Sequence, residues 1–291
     1  SLEPVLPVGE AIGGSDATTF TLFSSGESSL IALNGTGWIA QAASDATGFT
    51  LSPDSREEPG RADRALSSRI LGDRLVTSVV PFLPQLWGHI AVHGALLAGP
   101  HGQVLLLGQS GYGKSTLSQV LSREHGWAIL DDDTSMIVFH DNEVRLVPMG
   151  ARSRVRSDVA RAMNLSVEAL PGHGGQKGAL LPSTDVDTKD EGQPLCGIVF
   201  LAPRSPGAHS GNSPVVLERV EPTRALGDIV ASFFYLWPHD PVSRQNAFRA
   251  AASLTQADLW QASFVRGNHS PNEVANRIAD AVLGSNSASS R

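Results

Sequence analysis

The sequence predicts an α/β protein in which helices flank a sheet, together with a small N-terminal region rich in β-strands. Three observations predict this class. Short runs of β-forming residues, separated by Gly and Ser, occupy much of the first 60 residues. From residue 89 onward, near-continuous apolar runs alternate with amphipathic segments, which is typical of buried strands and their connecting helices. A glycine-rich loop joins one such strand to one such helix at residues 108–116.

The composition is that of an ordinary globular chain, with 291 residues of which 41% are hydrophobic and 18% are charged. The net charge of -7 argues against a broad surface for nucleic acid. The single cysteine, Cys196, excludes an internal disulfide and a cysteine-based zinc site. We see neither a signal peptide nor an uninterrupted apolar run of membrane-spanning length, so we expect a cytoplasmic protein with no membrane partner.

The predicted elements fall into two domains and a tail. Residues 1–64 form the β-rich region, with strands at 18–23, 29–34 and 37–42. A helix at 66–86, which Pro81 and Pro84 should end or kink, opens the second domain, residues 65–284. That domain is predicted to contain strands at 89–99, 103–108, 127–133, 196–203, 214–220 and 258–265, a hairpin at 134–148, and helices at 114–126, 221–234, 244–254 and 270–283. Residues 171–194 predict a mobile loop or flap, and residues 285–291 a disordered tail.

The loop after the strand at 103–108 matches the phosphate-binding pattern G-x-x-x-x-G-K-[ST] at every fixed position. Glycines let the backbone curl so that successive N–H groups face phosphate oxygens, and the following helix adds its positive end. We expect Lys114 to reach the β- and γ-phosphates of ATP and the Ser115 hydroxyl to ligate Mg²⁺. The residues predicted to bind nucleotide phosphates are Gly108, Ser110, Gly111, Tyr112, Gly113, Lys114, Ser115 and Thr116.

Three consecutive acids, Asp131, Asp132 and Asp133, follow the apolar segment after the loop helix. In a parallel sheet, the carboxyl end of that strand would lie beside the phosphate loop. One acid could hold Mg²⁺ and another could take the proton from an attacking hydroxyl. A solvated acidic turn is the alternative, and it is the more natural interpretation of Asp133 alone. His93, on the strand before the loop strand, is by itself more often a structural residue.

Residues 92–133, which read VHGALLAGPHGQVLLLGQSGYGKSTLSQVLSREHGWAILDDD, resemble the catalytic domain of HPr kinase/phosphorylase and its kinase-only relatives. The shared order is a His-Gly strand, a second strand, a P-loop, a helix and a strand that ends in Asp-Asp. The relatives include kinases of lasso-peptide biosynthesis, which phosphorylate a precursor peptide at a C-terminal serine. The resemblance implies an HPr kinase-like fold for residues 65–284. It also leaves room for a homo-oligomer.

The resemblance also implies individual roles. Asp131 matches the catalytic acid/base, Asp132 matches the aspartate on the magnesium side, and His93 matches the histidine that contacts and tunes the catalytic aspartate. The family's second signature, of the Glu-Ile-Arg-Gly type, has no clear counterpart, which removes support for phosphorylase activity and for HPr as the substrate. At that place Arg152, Arg154 and Arg156 could contact phosphate or an acidic peptide group, or form a solvated turn. The same two interpretations apply to Lys177.

Three functions remain open at this point. The first is an ATP- and Mg²⁺-dependent kinase that phosphorylates a serine of a peptide or protein, plausibly a lasso-peptide precursor. The second is a kinase of a small hydroxylated metabolite. The third is a nucleotide-binding regulator or ATPase that transfers the phosphoryl group to no acceptor.

Overall fold

The computed structural model describes residues 3–10, 19–25, 28–33, 38–42, 49–53, 81, 84–85, 88–140, 143–149, 154–156, 160–161, 167–169, 177–180, 193–204, 214–234 and 241–285. The chain divides into two compact units. One consists of residues 1–89 and 234–243, and the other of residues 90–233 and 244–291. The predicted boundary at residues 64–65 lies outside the described residues, as do most of the predicted helix at 66–86 and of the tail. The domain limits therefore stay a prediction.

The N-terminal strands form an antiparallel sheet in which each strand pairs with the next. They are β1 (Glu3–Glu10), β2 (Thr19–Ser25), β3 (Ser28–Leu33), β4 (Trp38–Ala42) and β5 (Phe49–Pro53). The sequence predicts β2, β3 and β4 but neither β1 nor β5. Pro4 and Pro7 lack the N–H group that a central strand needs, so β1 does not read as a strand. Its register shifts beside both prolines, at the end of the described sheet order, where a missing donor is tolerated.

The second unit is built on a mixed sheet with helices packed against it, and the predicted α/β class is confirmed. Its remaining strands are β6 (Ile90–His93), β7 (Ala95–Gly99), β8 (Gly102–Leu107), β9 (Ala128–Asp131), β10 (Thr134–His140), β11 (Glu143–Pro148), β12 (Arg154–Arg156), β13 (Val167–Ala169), β14 (Lys177–Leu180), β15 (Leu195–Arg204), β16 (Val216–Arg219) and β17 (Asp258–Val265). The helices are α1 (Lys114–His125), α2 (Pro222–Ala231), α3 (Pro241–Leu254) and α4 (Pro271–Ser285).

The central sheet has the strand order β16-β17-β15-β8-β7-β9 within the described residues. Strands β17, β15 and β8 run parallel, whereas β7 runs antiparallel to both of its neighbours, β8 and β9. The purely parallel neighbourhood assumed for the acidic strand is therefore wrong. Nevertheless, β8 and β9 point the same way, so their carboxyl ends share one edge of the sheet. Helices α1 and α4 pack together over this sheet, and the buried core includes Leu97, Val104, Leu106, Leu121, Trp127, Val199, Leu201 and Ile278.

The segment at 89–99 is predicted as one strand but forms two, which belong to different sheets. Strand β6 joins the three-stranded sheet β11-β10-β6, whereas β7 joins the central sheet. The chain changes sheets at Gly94, where an added β-carbon would lie 2.8 Å from Leu105 Cδ1 and 3.0 Å from the Leu106 carbonyl oxygen. Glycine is required there because the backbone passes directly over the loop strand β8.

The hairpin predicted at 134–148 is confirmed as β10 and β11, although its turn residues 141–142 lie outside the described part of the chain. Most of the predicted flap at 171–194 lies outside it too, except for β14, which pairs between β12 and β13. The predicted cap of the last helix is also observed, since the Ser270 hydroxyl accepts the Glu273 N–H at 3.2 Å. Among the described residues, no helix has the length and apolar character needed to cross a membrane.

Candidate functional site

The phosphate loop connects the fully buried strand β8 to α1 and has the backbone that its glycines permit. Gly111 and Gly113 have φ values of 82° and 96°, in the left-handed region that L-residues with side chains rarely adopt. Gly113 is the N-cap of α1, and no side chain caps that end of the helix. The first-turn N–H groups, including those of the half-buried Ser115 and Thr116, are therefore oriented for an anionic ligand.

Lys114 is buried at the start of α1, with 7% of the residue exposed. Its Nζ donates to the Gly108 carbonyl oxygen at 2.7 Å and lies 3.0 Å from His93 Nε2. Burial lowers the pKa of Lys114, and the negative charges of Asp133 and Asp132 oppose that shift. The loop lysine, the histidine and two of the three acids are thus brought together in one site.

His93 lies between Lys114 and the acidic turn. Its Nδ1 is 3.1 Å from the carbonyl oxygen of Asp133 and 3.4 Å from the Oδ1 of the same residue. A proton on Nδ1 satisfies these acceptors and leaves Nε2 to accept from the lysine, so the hydrogen-bond network assigns the neutral Nδ1–H tautomer. Burial lowers the pKa of His93, as does the positive charge of Lys114, while Asp133 opposes both. The imidazole therefore links the lysine to Asp133 as a neutral group.

Asp131 occupies a different environment, although it is only two residues away. It is 1% exposed, and its carboxylate accepts backbone N–H groups from Asp133 (3.2 Å), Thr134 (3.2 Å) and Met149 (2.7 Å). Burial raises the pKa of Asp131 to about 6, and the three hydrogen bonds oppose that shift. These contacts fix the acidic turn and the end of β11. The catalytic role predicted for Asp131 is not tested by them and stays a prediction, but the observed partner of His93 is Asp133.

The strand pairing explains this choice of partner. His93 in β6 is opposite Thr134 in β10, so Asp133 immediately precedes the residue that faces the histidine. Asp131 instead belongs to β9 and is opposite Leu96 in β7, on the central sheet. The chain changes sheets between Asp131 and Asp133 just as it does at Gly94, and the two acids are separated accordingly.

Ser115 and Asp132 are the predicted Mg²⁺ ligands. Ser115 is in the first turn of α1, and Asp132 is 3% exposed and close enough to Lys114 to influence its pKa. Both supply hard oxygen donors, which suit Mg²⁺. No group of three or more His, Cys, Asp or Glu side chains suited to a metal ion occurs in the described part of the chain. Phosphate oxygens and water would therefore complete the coordination, as is usual for Mg²⁺ with a nucleotide.

Of the four basic residues considered as contacts for phosphate or for an acidic peptide group, the structure describes three. Arg152 lies outside the described residues, whereas Arg154 and Arg156 are in β12 and Lys177 is in β14. In the pairing of these strands Arg156 is opposite Lys177. Strand β12 lies next to α1, the helix that begins at the phosphate loop.

Two residues of the site were missed from the sequence. Asp133 reads there as a solvated turn residue, and only the pairing of β6 with β10 identifies it as the neighbour of His93. Arg266 follows β17, and its guanidinium donates to the Gly111 carbonyl oxygen and lies 5.6 Å from the centroid of the Tyr112 ring. Because 155 residues separate Arg266 from Gly111, no local pattern could have indicated this contact.

No protein-family model and no curated protein matches this chain. Solved structures do match it, among them an HPr(Ser) kinase/phosphatase from Coxiella burnetii. That match has 14% sequence identity and a TM-score of 0.31, and it covers 69% of this chain and 94% of the other. At this TM-score and identity the match assigns neither a family nor a substrate to this chain, so the resemblance of residues 92–133, including the lasso-peptide relatives, stays a prediction.

Proposed function

We propose that this protein is an ATP- and Mg²⁺-dependent kinase that transfers the γ-phosphoryl group to a serine hydroxyl of a peptide or protein. One observation carries the proposal: a series of contacts runs from the loop lysine, Lys114, to His93 and on to Asp133. His93 Nδ1 is hydrogen-bonded to the Asp133 carbonyl oxygen at 3.1 Å and lies 3.4 Å from its carboxylate. Nucleotide binding alone needs only the loop. A half-buried carboxylate, 32% exposed and held by a histidine beside the loop, is the group that transfer to a hydroxyl requires in addition.

The proposed reaction assigns each group a step. The loop amides and the N-terminus of α1 bind the phosphates. The Lys114 ammonium gives up its hydrogen bond to the Gly108 carbonyl oxygen and donates to phosphate oxygens instead. Mg²⁺, held by Ser115 and Asp132, would neutralise charge on the transferred group. The acceptor oxygen forms a bond to the γ-phosphorus as the bond to the β–γ bridging oxygen breaks, which releases ADP. Asp133 takes the hydroxyl proton.

The choice of Asp133 as the base differs from the role that the resemblance implies for Asp131. Exposure supports the choice, because the Asp133 side chain is 32% exposed whereas Asp131 is buried. Hydrogen bonding supports it as well, since both carboxylate oxygens of Asp131 already accept backbone N–H groups. A base must come within hydrogen-bonding distance of the acceptor hydroxyl, and Asp133 alone of the two has surface for that contact.

The basic residues of β12 and β14 support a peptide acceptor with an acidic group. In the backbone pairing of these strands Arg156 is opposite Lys177, and Arg154 belongs to the same strand, which lies next to α1. We propose that these basic residues contact a carboxylate of the acceptor peptide.

The experiment uses γ-labelled ATP with Mg²⁺ and three kinds of acceptor. These are peptides that end in serine, the same peptides that end in alanine, and a panel of small hydroxylated metabolites. Label on the serine peptides alone is the expected result. Label confined to a metabolite would show that the acceptor is a small molecule and not a peptide, and would favour a small-molecule kinase. ADP formed at the same rate with no acceptor present would instead favour an ATPase or nucleotide-dependent regulator.

A further inference from the structure

Arg266 is held in a fixed position at the carboxyl edge of the central sheet. Its backbone N–H donates to the Arg204 carbonyl oxygen at 3.2 Å, which extends the parallel pairing of β17 with β15 by one residue. The chain then turns at Gly267, which has a φ of 82°. His269 Nδ1 accepts the Val265 N–H at 3.0 Å and closes the turn. The backbone of Arg266 therefore has little freedom, and its side chain extends from a rigid point.

The side chain of Arg266 reaches the phosphate loop. Its guanidinium donates to the Gly111 carbonyl oxygen and lies over the ring of Tyr112, 5.6 Å from the centroid. The helix that follows, α4, packs on α1, and His125 Nε2 lies 2.9 Å from Asn276 Oδ1 between these two helices. The loop and its helix are thus both tied to the segment that begins at the end of β17.

This contact is on the carbonyl side of the loop, where it can improve phosphate binding without touching phosphate. A loop that curls around an anion turns its N–H groups inward and its carbonyl groups outward. The peptide that joins Gly111 to Tyr112 donates its N–H to the Gln109 carbonyl oxygen at 3.1 Å, and a cationic donor on the Gly111 carbonyl polarises that peptide and strengthens the turn that shapes the loop. It also restricts a glycine whose φ is in the left-handed region, so less conformational entropy is lost when the ligand binds.

We propose that Arg266 is a positioning residue of the nucleotide site, which holds the phosphate loop through Gly111 and Tyr112 in the shape that receives the β-phosphate. The proposal rests on the nucleotide binding proposed above. It predicts selectivity for the phosphate chain rather than for the nucleoside, because the contact acts on the loop. A phosphate chain without a nucleoside should therefore depend on Arg266 as strongly as ATP does.

The test compares Arg266→Ala, Arg266→Lys and the wild type by calorimetric titration with Mg·ATP, Mg·ADP and inorganic pyrophosphate. Arg224→Ala is the matched control, because Arg224 is also an exposed arginine that contacts β17, through Gln261 at 2.9 Å. We expect Arg266→Ala to bind all three ligands about 10-fold more weakly. This loss is at the lower end of the range for removal of a charged hydrogen-bond donor, because Arg266 is exposed. Arg266→Lys should fall between alanine and wild type, and Arg224→Ala within about 2-fold of wild type.

Hydrogen exchange of the nucleotide-free protein gives a second readout. Peptides that cover residues 108–113 should exchange faster in Arg266→Ala than in the wild type, whereas Arg224→Ala should not change them. Unchanged exchange together with unchanged ligand affinity would overturn the inference. Weaker ATP binding with normal pyrophosphate binding would also overturn it, since Arg266 would then contact the nucleoside. A wild type that binds no nucleotide would refute the proposed function itself, which the exchange measurement distinguishes from failure of the loop contact.

Discussion

Replacing Asp133 by asparagine tests which carboxylate accepts the proton of the acceptor hydroxyl. Asparagine keeps the size of the side chain and an oxygen that can accept from His93 Nδ1, but it cannot take a proton. General-base catalysis contributes about 100- to 10,000-fold, so Asp133→Asn should lower kcat by that factor, or about 3 to 5 kcal/mol in the activation barrier. The affinity for Mg·ATP should change little, because Asp132 still lies near Lys114.

Asp131→Asn is the control, since it lies two residues away in the same turn. Its amide would present N–H groups to backbone donors that now reach the carboxylate, those of Met149 at 2.7 Å or of Asp133 and Thr134 at 3.2 Å. We therefore expect an altered melting temperature and a smaller loss of kcat than in Asp133→Asn.

The assay is steady-state transfer from γ-labelled ATP to a serine peptide, combined with calorimetry of Mg·ATP binding and a thermal melt of each variant. Normal turnover in Asp133→Asn, together with loss of turnover in a folded Asp131→Asn, would refute the assignment of the base to Asp133. That result would restore the role that the family resemblance implies for Asp131. Loss of ATP binding in Asp133→Asn would instead show that Asp133 contributes to binding of the nucleotide before the chemical step.

Three further predictions follow from the same contacts. Because burial raises the pKa of Asp131 from 3.8 to about 6, its share of the unfolding free energy is fully present below pH 4 and falls as the pH rises through 6. The stability of wild type relative to Asp131→Asn should thus fall by about 2 kcal/mol between pH 4 and 7 in denaturant titrations, and a constant difference would contradict the shift. Lys114→Ala should weaken Mg·ATP binding by about 10-fold or more in calorimetry, since it removes a charged donor, and unchanged affinity would count against the loop. Gly94→Ala should lower stability by about 1 to 3 kcal/mol, because its β-carbon would approach Leu105 and the Leu106 carbonyl; an unchanged melting temperature would contradict this packing.

The phosphate loop could be predicted from the sequence alone because its function is local. The positions of Gly108, Gly113, Lys114 and Ser115 relative to one another are fixed by a few residues of backbone, with a buried strand before them and a helix after them. The α/β class followed from hydrophobic periodicity for the same reason, since each strand or helix shows its own repeat. Strand β1 was not predicted, because its prolines are untypical of a strand and only its pairing with β2 identifies it.

The tertiary structure decided which of three adjacent acids meets His93. All three follow one strand, so no spacing rule could choose between them. The choice depends on Gly94, which lets the chain pass over β8 and sends β6 and β7 into different sheets. Pairing of β6 with β10 then brings Asp133 to the histidine, while pairing of β7 with β9 buries Asp131 among backbone donors. Strand register between distant segments is set by the packing of the whole sheet, and that is why the sequence predicted the phosphate loop and the acidic turn but not which acid contacts His93.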